Sequence, residues 1–173
     1  MRPHTVMLVM FLVVALLILM FLAGCSAPDE EITEMVHQHA DAWATGDINL
    51  LNSLLHDDVI FAYPGRRLDK TQTLEDLVYF RNHFTDTKVY INKIIVDGNH
   101  LAVEWQFATT KIETGQRQVV SDAIIAEVKD GKFIVWKEYL DGRVKLLQAS
   151  GELFLEEGEE PFPWPLKTEK FKR

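Results

Sequence analysis

The chain has 173 residues, 18 Lys+Arg against 26 Asp+Glu, a formal net charge of −8 and one cysteine. That length fits one ordinary domain, and 47% hydrophobic with 25% charged residues is a globular composition that excludes global disorder. The acidic balance excludes a nucleic-acid surface, which needs surplus Lys and Arg, and a single cysteine excludes an internal disulfide or a Cys-based zinc or iron–sulfur site.

The first element is an export signal. Residues 6–23 carry no charge and are nearly all apolar, Arg2 precedes them, and the only cysteine follows. A positive start and an apolar run make a secretory signal or an anchor helix. At ~1.5 Å per residue the run reaches roughly 27 Å, so length alone fits either. Its end decides between them: Leu22-Ala23-Gly24-Cys25 resembles the lipobox of bacterial lipoproteins at every position. The resemblance implies cleavage after residue 24 and acylation of Cys25 with two or three chains such as palmitate, a stable anchor where one chain would not be. The mature chain, 25–173, would hold 17 basic against 26 acidic residues, a formal charge of −9. In Gram-negative lipoproteins an Asp directly after the lipidated cysteine resembles an inner-membrane retention signal, so Ser26 implies the outer membrane, facing the periplasm, if the bacterium is Gram-negative.

Asp29 to Ala44 reads as a helix. Ile32, Met35, Val36, His39 and Trp43 recur at helical spacing, and acidic residues crowd the first turn. Gly46 stops it, and Asp47 caps a short second helix with Ile48, Leu51, Leu54 and Leu55 on one face. Val59 to Tyr63 is a strand ended by Pro64-Gly65. Asp69 and Gln72 make a capping pair for a third helix to about Phe84. The period then changes from 3.6 to 2. Val89–Val96, Leu101–Thr110, Gln118–Val128 and Phe133–Leu140 read as an antiparallel meander turning at Asp97-Gly98-Asn99, Thr114-Gly115 and Asp130-Gly131. Helices segregated from an antiparallel sheet make an α+β domain. From Gln148 an acidic run and Pro161-Phe162-Pro163-Trp164-Pro165 form a tail that is either solvated or folded back so that Phe162 and Trp164 cover an apolar opening.

Five segments in this order resemble the SnoaL-like branch of the nuclear transport factor 2-like superfamily. They are Trp43-Ala44-Thr45-Gly46-Asp47, Leu54-Leu55-His56-Asp57-Asp58-Val59, Val103-Glu104-Trp105, Asp130-Gly131-Lys132-Phe133 and Trp136-Lys137-Glu138-Tyr139-Leu140-Asp141. The resemblance implies a cone-shaped curved antiparallel sheet wrapped around three helices, with a conical pocket. The chain would then divide into a signal peptide (1–24), a tether with lipidated Cys25 (25–29), a SnoaL-like domain (30–147) and an acidic, Pro-rich tail (148–173). Polyketide cyclases, ketosteroid isomerases, dehydratases, epoxide hydrolases and proteins without known catalysis share this fold, so function has to be read from the pocket.

Asp122 is the one charge on the strand face of Val120, Ile124, Ala126 and Val128. Burial there would raise its pKa and make it a candidate general acid or base. The cyclases and isomerases are similar in placing an acid on this strand, two residues on, near Ile124. Asp141 ends a segment similar to one that ends in a catalytic Asp in the epoxide hydrolases, but the Arg and Asp those enzymes also need are replaced by Glu104-Trp105-Gln106-Phe107. Asp141 otherwise reads as a turn residue. Glu138 and Tyr139 point to opposite faces, and either one faces the pocket. Trp105 lines the pocket or fills the core. Tyr63 points into the cone or is exposed before the turn. The face of Ala102, Glu104, Gln106 and Ala108 suits a convex surface and a homodimer contact. His37 and His39 diverge, no ligand set has metal spacing, and no motif calls for a cofactor. Two functions follow: a lipid-anchored domain binding a small apolar or amphipathic molecule, or a cyclase-, isomerase- or dehydratase-type enzyme using Asp122; a third, a non-catalytic dimerisation or protein-interaction module using the open sheet, is compatible with either.

Overall fold

The structure, a computed structural model, describes residues 28–153 and 158–161. The apolar N-terminal run, Cys25, Phe162 and Trp164 lie outside the described residues. The first helix, α1, is Pro28–Thr45, with Pro28 at its start, where the missing N–H costs nothing, and Asp29, Glu30 and Glu31 in its first turn. Gly46 ends it at φ +72°, a left-handed turn that glycine enters without strain. Asp47 then caps α2 (Ile48–Leu54), its carboxylate accepting from Leu50 N at 3.0 Å. Strand β1 (Leu55–Tyr63) begins four residues earlier than Val59, directly from that helix. A short β2 (Arg66–Leu68) returns beside it, a strand too brief to show a period in the sequence. Asp69 and Gln72 close a capping box on α3 (Lys70–His83).

The meander follows as β3 (Phe84–Asp97), β4 (His100–Lys111), β5 (Arg117–Lys129) and β6 (Lys132–Leu140). Asp130 and Gly131 both take positive φ, the geometry of a two-residue hairpin that matches strand twist. The sheet runs β2-β1-β6-β5-β4-β3. Every neighbouring pair is antiparallel except β1 and β6, which run parallel. Register shifts in β3, β1 and β6 bend the strands into a curved, unclosed sheet. The fold is therefore the expected α+β cone, with one parallel pair and with a fourth described helix, α4 (Gly142–Ala149), added outside it.

The main core lies between α1 and the concave face, where Ile32, Met35 and Val36 meet Val103, Ile124 and Trp136. A second, smaller core on the convex face joins Ala108 and Val119 to Val144 and Leu153. Asp141 is the N-cap of α4, accepting from Arg143 N and Val144 N. Past Ser121 the edge of β5 has no β6 beside it. There Gln148 stands in for a strand: its Oε1 accepts from Val119 N and its Nε2 donates to Val119 O, both at 3.0 Å. Ala108 and Gln106, read as convex-face residues, are buried. Further along, Glu160 accepts from Arg117 and from Tyr90 Oη, which fixes that residue to the convex face. Among the described residues no helix is long and apolar enough to cross a membrane.

Candidate functional site

Alternation along β4 and β5 brings the site together. On β4, Trp105, Phe107 and Thr109 turn to the concave side, and on β5, Gln118, Val120 and Asp122 do the same. With α1 covering only part of that face, a cavity of about 370 Å³ remains. Eight aromatic side chains line it, among them Trp43 from α1, Phe61 from β1 and Phe80 from α3. Exposed Tyr79 and Lys145 mark its rim.

Three carboxyls share this largely apolar space: Asp76, Asp122 and Glu138. Asp122 is 4% exposed. It accepts from Trp105 Nε1 at 3.2 Å and from the Tyr139 backbone N–H at 3.0 Å. Burial pushes its pKa far above the usual carboxylate range, and the two donors offset only part of that rise. Glu138 accepts from Trp136 Nε1 at 2.9 Å. Its pKa is also raised, first by burial and then by the charge of Asp122. Two carboxyls in one apolar setting resist ionising together, so they titrate as a pair. Asp76 accepts from Tyr63 Oη at 2.7 Å, and burial with this bond pushes the Tyr63 hydroxyl up to about 12.

Beside the cavity, His39 of α1 is fully buried in a box of aromatic rings. Its ring stacks on Trp136 at 3.9 Å, with Phe61, Trp105 and Phe133 around it. Neither ring nitrogen has a hydrogen-bond partner, and burial lowers its pKa to about 3, so it is neutral at any ordinary pH.

Asp122, Trp105, Tyr63 and Glu138 thus meet in one cavity, and Trp105 both lines it and belongs to the core. Two other expected pocket residues do not. Tyr139 is 60% exposed on the convex side, and only its backbone N–H reaches the site. Asp141 caps α4 instead. The inward choice of Glu138 follows from a bulge. Glu127 pairs with Val135 and Val128 with Phe133, so Ile134 is an extra residue. Phe133 and Trp136 can then both face the core, and Glu138 follows Trp136 inward. Sequence reasoning missed Asp76 and the rim Lys145. Asp76, Tyr79 and Phe80 sit at i, i+3 and i+4 of α3, a helical stripe that would have revealed them. Among the described residues no group of His, Cys, Asp or Glu is placed to hold a metal ion.

The sequence profile of the SnoaL-like domain matches residues 36–136. No curated protein matches the sequence. Solved structures resemble the fold. An LEH-like epoxide hydrolase of M. tuberculosis is 21% identical over 69% of this chain and 90% of that one, with a TM-score of 0.63. IdmH from Streptomyces antibioticus, assigned as a polyketide cyclase, is 19% identical over 68% and 97%, with a TM-score of 0.62. A protein with a ketosteroid isomerase-like fold from Catenulispora acidiphila, solved with trimethylamine, is 18% identical over 68% and 92%, also at 0.62. At these identities the likeness is one of fold.

Proposed function

Since the chain belongs to the SnoaL-like domain family, whose fold alone names no activity, we propose that it is a small-molecule-binding lipoprotein of the bacterial envelope. Lipidated Cys25 tethers it to the membrane, and its cavity takes a small, largely apolar or amphipathic molecule. The observation that carries the binding reading is the cavity itself: about 370 Å³, walled by aromatic rings, with few polar groups converging inside. The anchor rests on the lipobox residues Leu22 to Cys25. Mass spectrometry tests both parts. The wild-type protein made in a bacterium carries an acylated Cys25 as its first residue, and a small molecule co-purifies with it. A wild-type chain that still begins at Met1 would rule out the anchor.

A second reading is favoured by the Asp122–Glu138 pair. Raised carboxyl pKa values in a largely apolar cavity suit proton transfer, with the ionised member taking a proton from a substrate and the protonated member giving one. This would make the domain an enzyme of the cyclase, isomerase or dehydratase type. Solvent-deuterium uptake by enolisable cyclic ketones, followed by NMR, separates the readings. An enzyme exchanges the proton next to the carbonyl, and Asp122→Asn slows this by roughly 10²–10⁴-fold. A binding domain leaves the ketone unexchanged.

A further inference from the structure

The chemistry of the cavity points to one class of ligand. Its acids and its aromatic rings are joined. In the cavity wall Trp105 donates its indole N–H to Asp122 and the Tyr63 hydroxyl donates to Asp76, while Trp136, buried behind the wall, donates to Glu138. Each bond turns the positive edge of a ring toward a carboxylate and makes its π-face more electron-rich. Trp43 and Phe61 pack together, 6.0 Å between ring centres, in the same wall. No cation balances these groups from within. Among the described lining residues the one positive side chain is Lys145, which is exposed at the rim. Next to the rim, Phe80 stacks on Phe84 at 4.9 Å and meets Phe107 edge-on at 5.4 Å, a purely apolar wall.

We propose that the ligand is an amphipathic cation, an amine or quaternary ammonium. Its positive nitrogen lies against Asp122, Glu138 and the nearby ring faces, and its apolar part lies against Phe80, Phe84 and Phe107. The inference rests on the cavity being a binding site. A hydrophobic ammonium fits both halves. It supplies a counter-charge that lets both carboxyls ionise, and it loses little hydration on entering an aromatic enclosure that attracts it by cation–π contact. Once the pair ionises, a carboxylate-bearing ligand would face two like charges in a low-dielectric space and is disfavoured. Binding of a cation favours the ionised carboxyls, so it releases protons and strengthens as pH rises.

The test uses the full-length chain in a non-ionic detergent and three probes that share a ring: benzyltrimethylammonium, benzyl alcohol and phenylacetate. The indole N–H signal of Trp105, which reports on the bond to Asp122, is followed by NMR. Benzyltrimethylammonium is expected to bind roughly tenfold more tightly than benzyl alcohol at pH ~8.5, with phenylacetate weakest. Its advantage shrinks several-fold at pH ~5.5, and Glu138→Gln removes most of it while changing benzyl alcohol binding little. If benzyl alcohol shifts the Trp105 signal and binds as tightly as the cation, the charge preference is overturned and the binding cavity stands. Tightest binding of phenylacetate likewise overturns the charge preference and leaves the cavity as a binding site. If no probe shifts the signal, the binding reading falls along with the charge preference.

Discussion

Asp122 and Glu138 lie on neighbouring antiparallel strands, two residues out of register, so that Asp122 faces Leu140 and Ile124 faces Glu138 across the ladder. They are therefore diagonal neighbours on one face of the sheet, within reach of each other's charge. The residue opposite Ile124 on β6 supplies a carboxyl to the same cavity. Burial raises both pKa values, and the charge of Asp122 raises that of Glu138 further.

Titration of Asp122 is the first check. Its side-chain carboxyl should ionise well above the ordinary ~3.9 of an aspartate. Asp122→Asn should keep the acceptor for Tyr139 N but turn an amide N–H toward Trp105 Nε1, leaving that indole without an acceptor. A large shift of the Trp105 indole signal is the expected result. An Asp122 that titrates near ~3.9 would remove the basis for proton-transfer chemistry at this site.

The contribution of the Asp122–Glu138 pair to stability should fall as pH rises from about 4 through neutrality. The folded state keeps protons on Asp122 and Glu138 that the unfolded chain has already released, because both folded pKa values are raised. The unfolded state then binds fewer protons, and linkage makes unfolding easier with each step up in pH across that window. Chemical denaturation of the Asp122→Asn/Glu138→Gln double variant should show this slope flattened. An equal slope in the variant would mean that the pair is solvated.

His39 acts in the opposite direction. Its folded pKa, about 3, is depressed below the ordinary value, so its burial weakens the fold as pH drops below ~6.5. The full effect is on the order of several kcal/mol and is reached only near pH 3. His39→Leu removes an imidazole whose nitrogens have no partners and keeps an apolar side chain among Phe61, Phe133 and Trp136. We expect the variant to be at least as stable at neutral pH and markedly more acid-resistant. Loss of stability at neutral pH would instead reveal a polar role for the ring.

Gln148→Ala should destabilise the domain by about 1–3 kcal/mol, because it strips both partners from the buried Val119 backbone at the open edge of β5. Faster hydrogen exchange at the Val119 amide would accompany the loss. An unchanged unfolding midpoint would show that α4 contributes nothing to that edge.

The local elements of this protein were legible in its sequence because each has a local cause. Gly46 and Asp47 separate two helices, Asp69 and Gln72 cap a third, and Asp130-Gly131 turns a hairpin. The period of two along β5 also placed Asp122 on an apolar face without any coordinates. Other features depended on partners far along the chain. The parallel pairing of β1 with β6 brings together segments some 75 residues apart, with no local signature. On β6 apolar residues occupy both faces, so alternation alone could not say whether Glu138 or Tyr139 turns inward. The bulge at Ile134 decided it. Of a face of small and polar residues, Ala108 joined a second core only because α4 folds back over it, and Asp141, a candidate acid or turn residue in the sequence, became the cap of that helix. Hydrogen bonding along the backbone and side-chain period are short-range, and a sequence displays them. The field on a carboxyl depends on what surrounds it in space, and only the folded chain sets that.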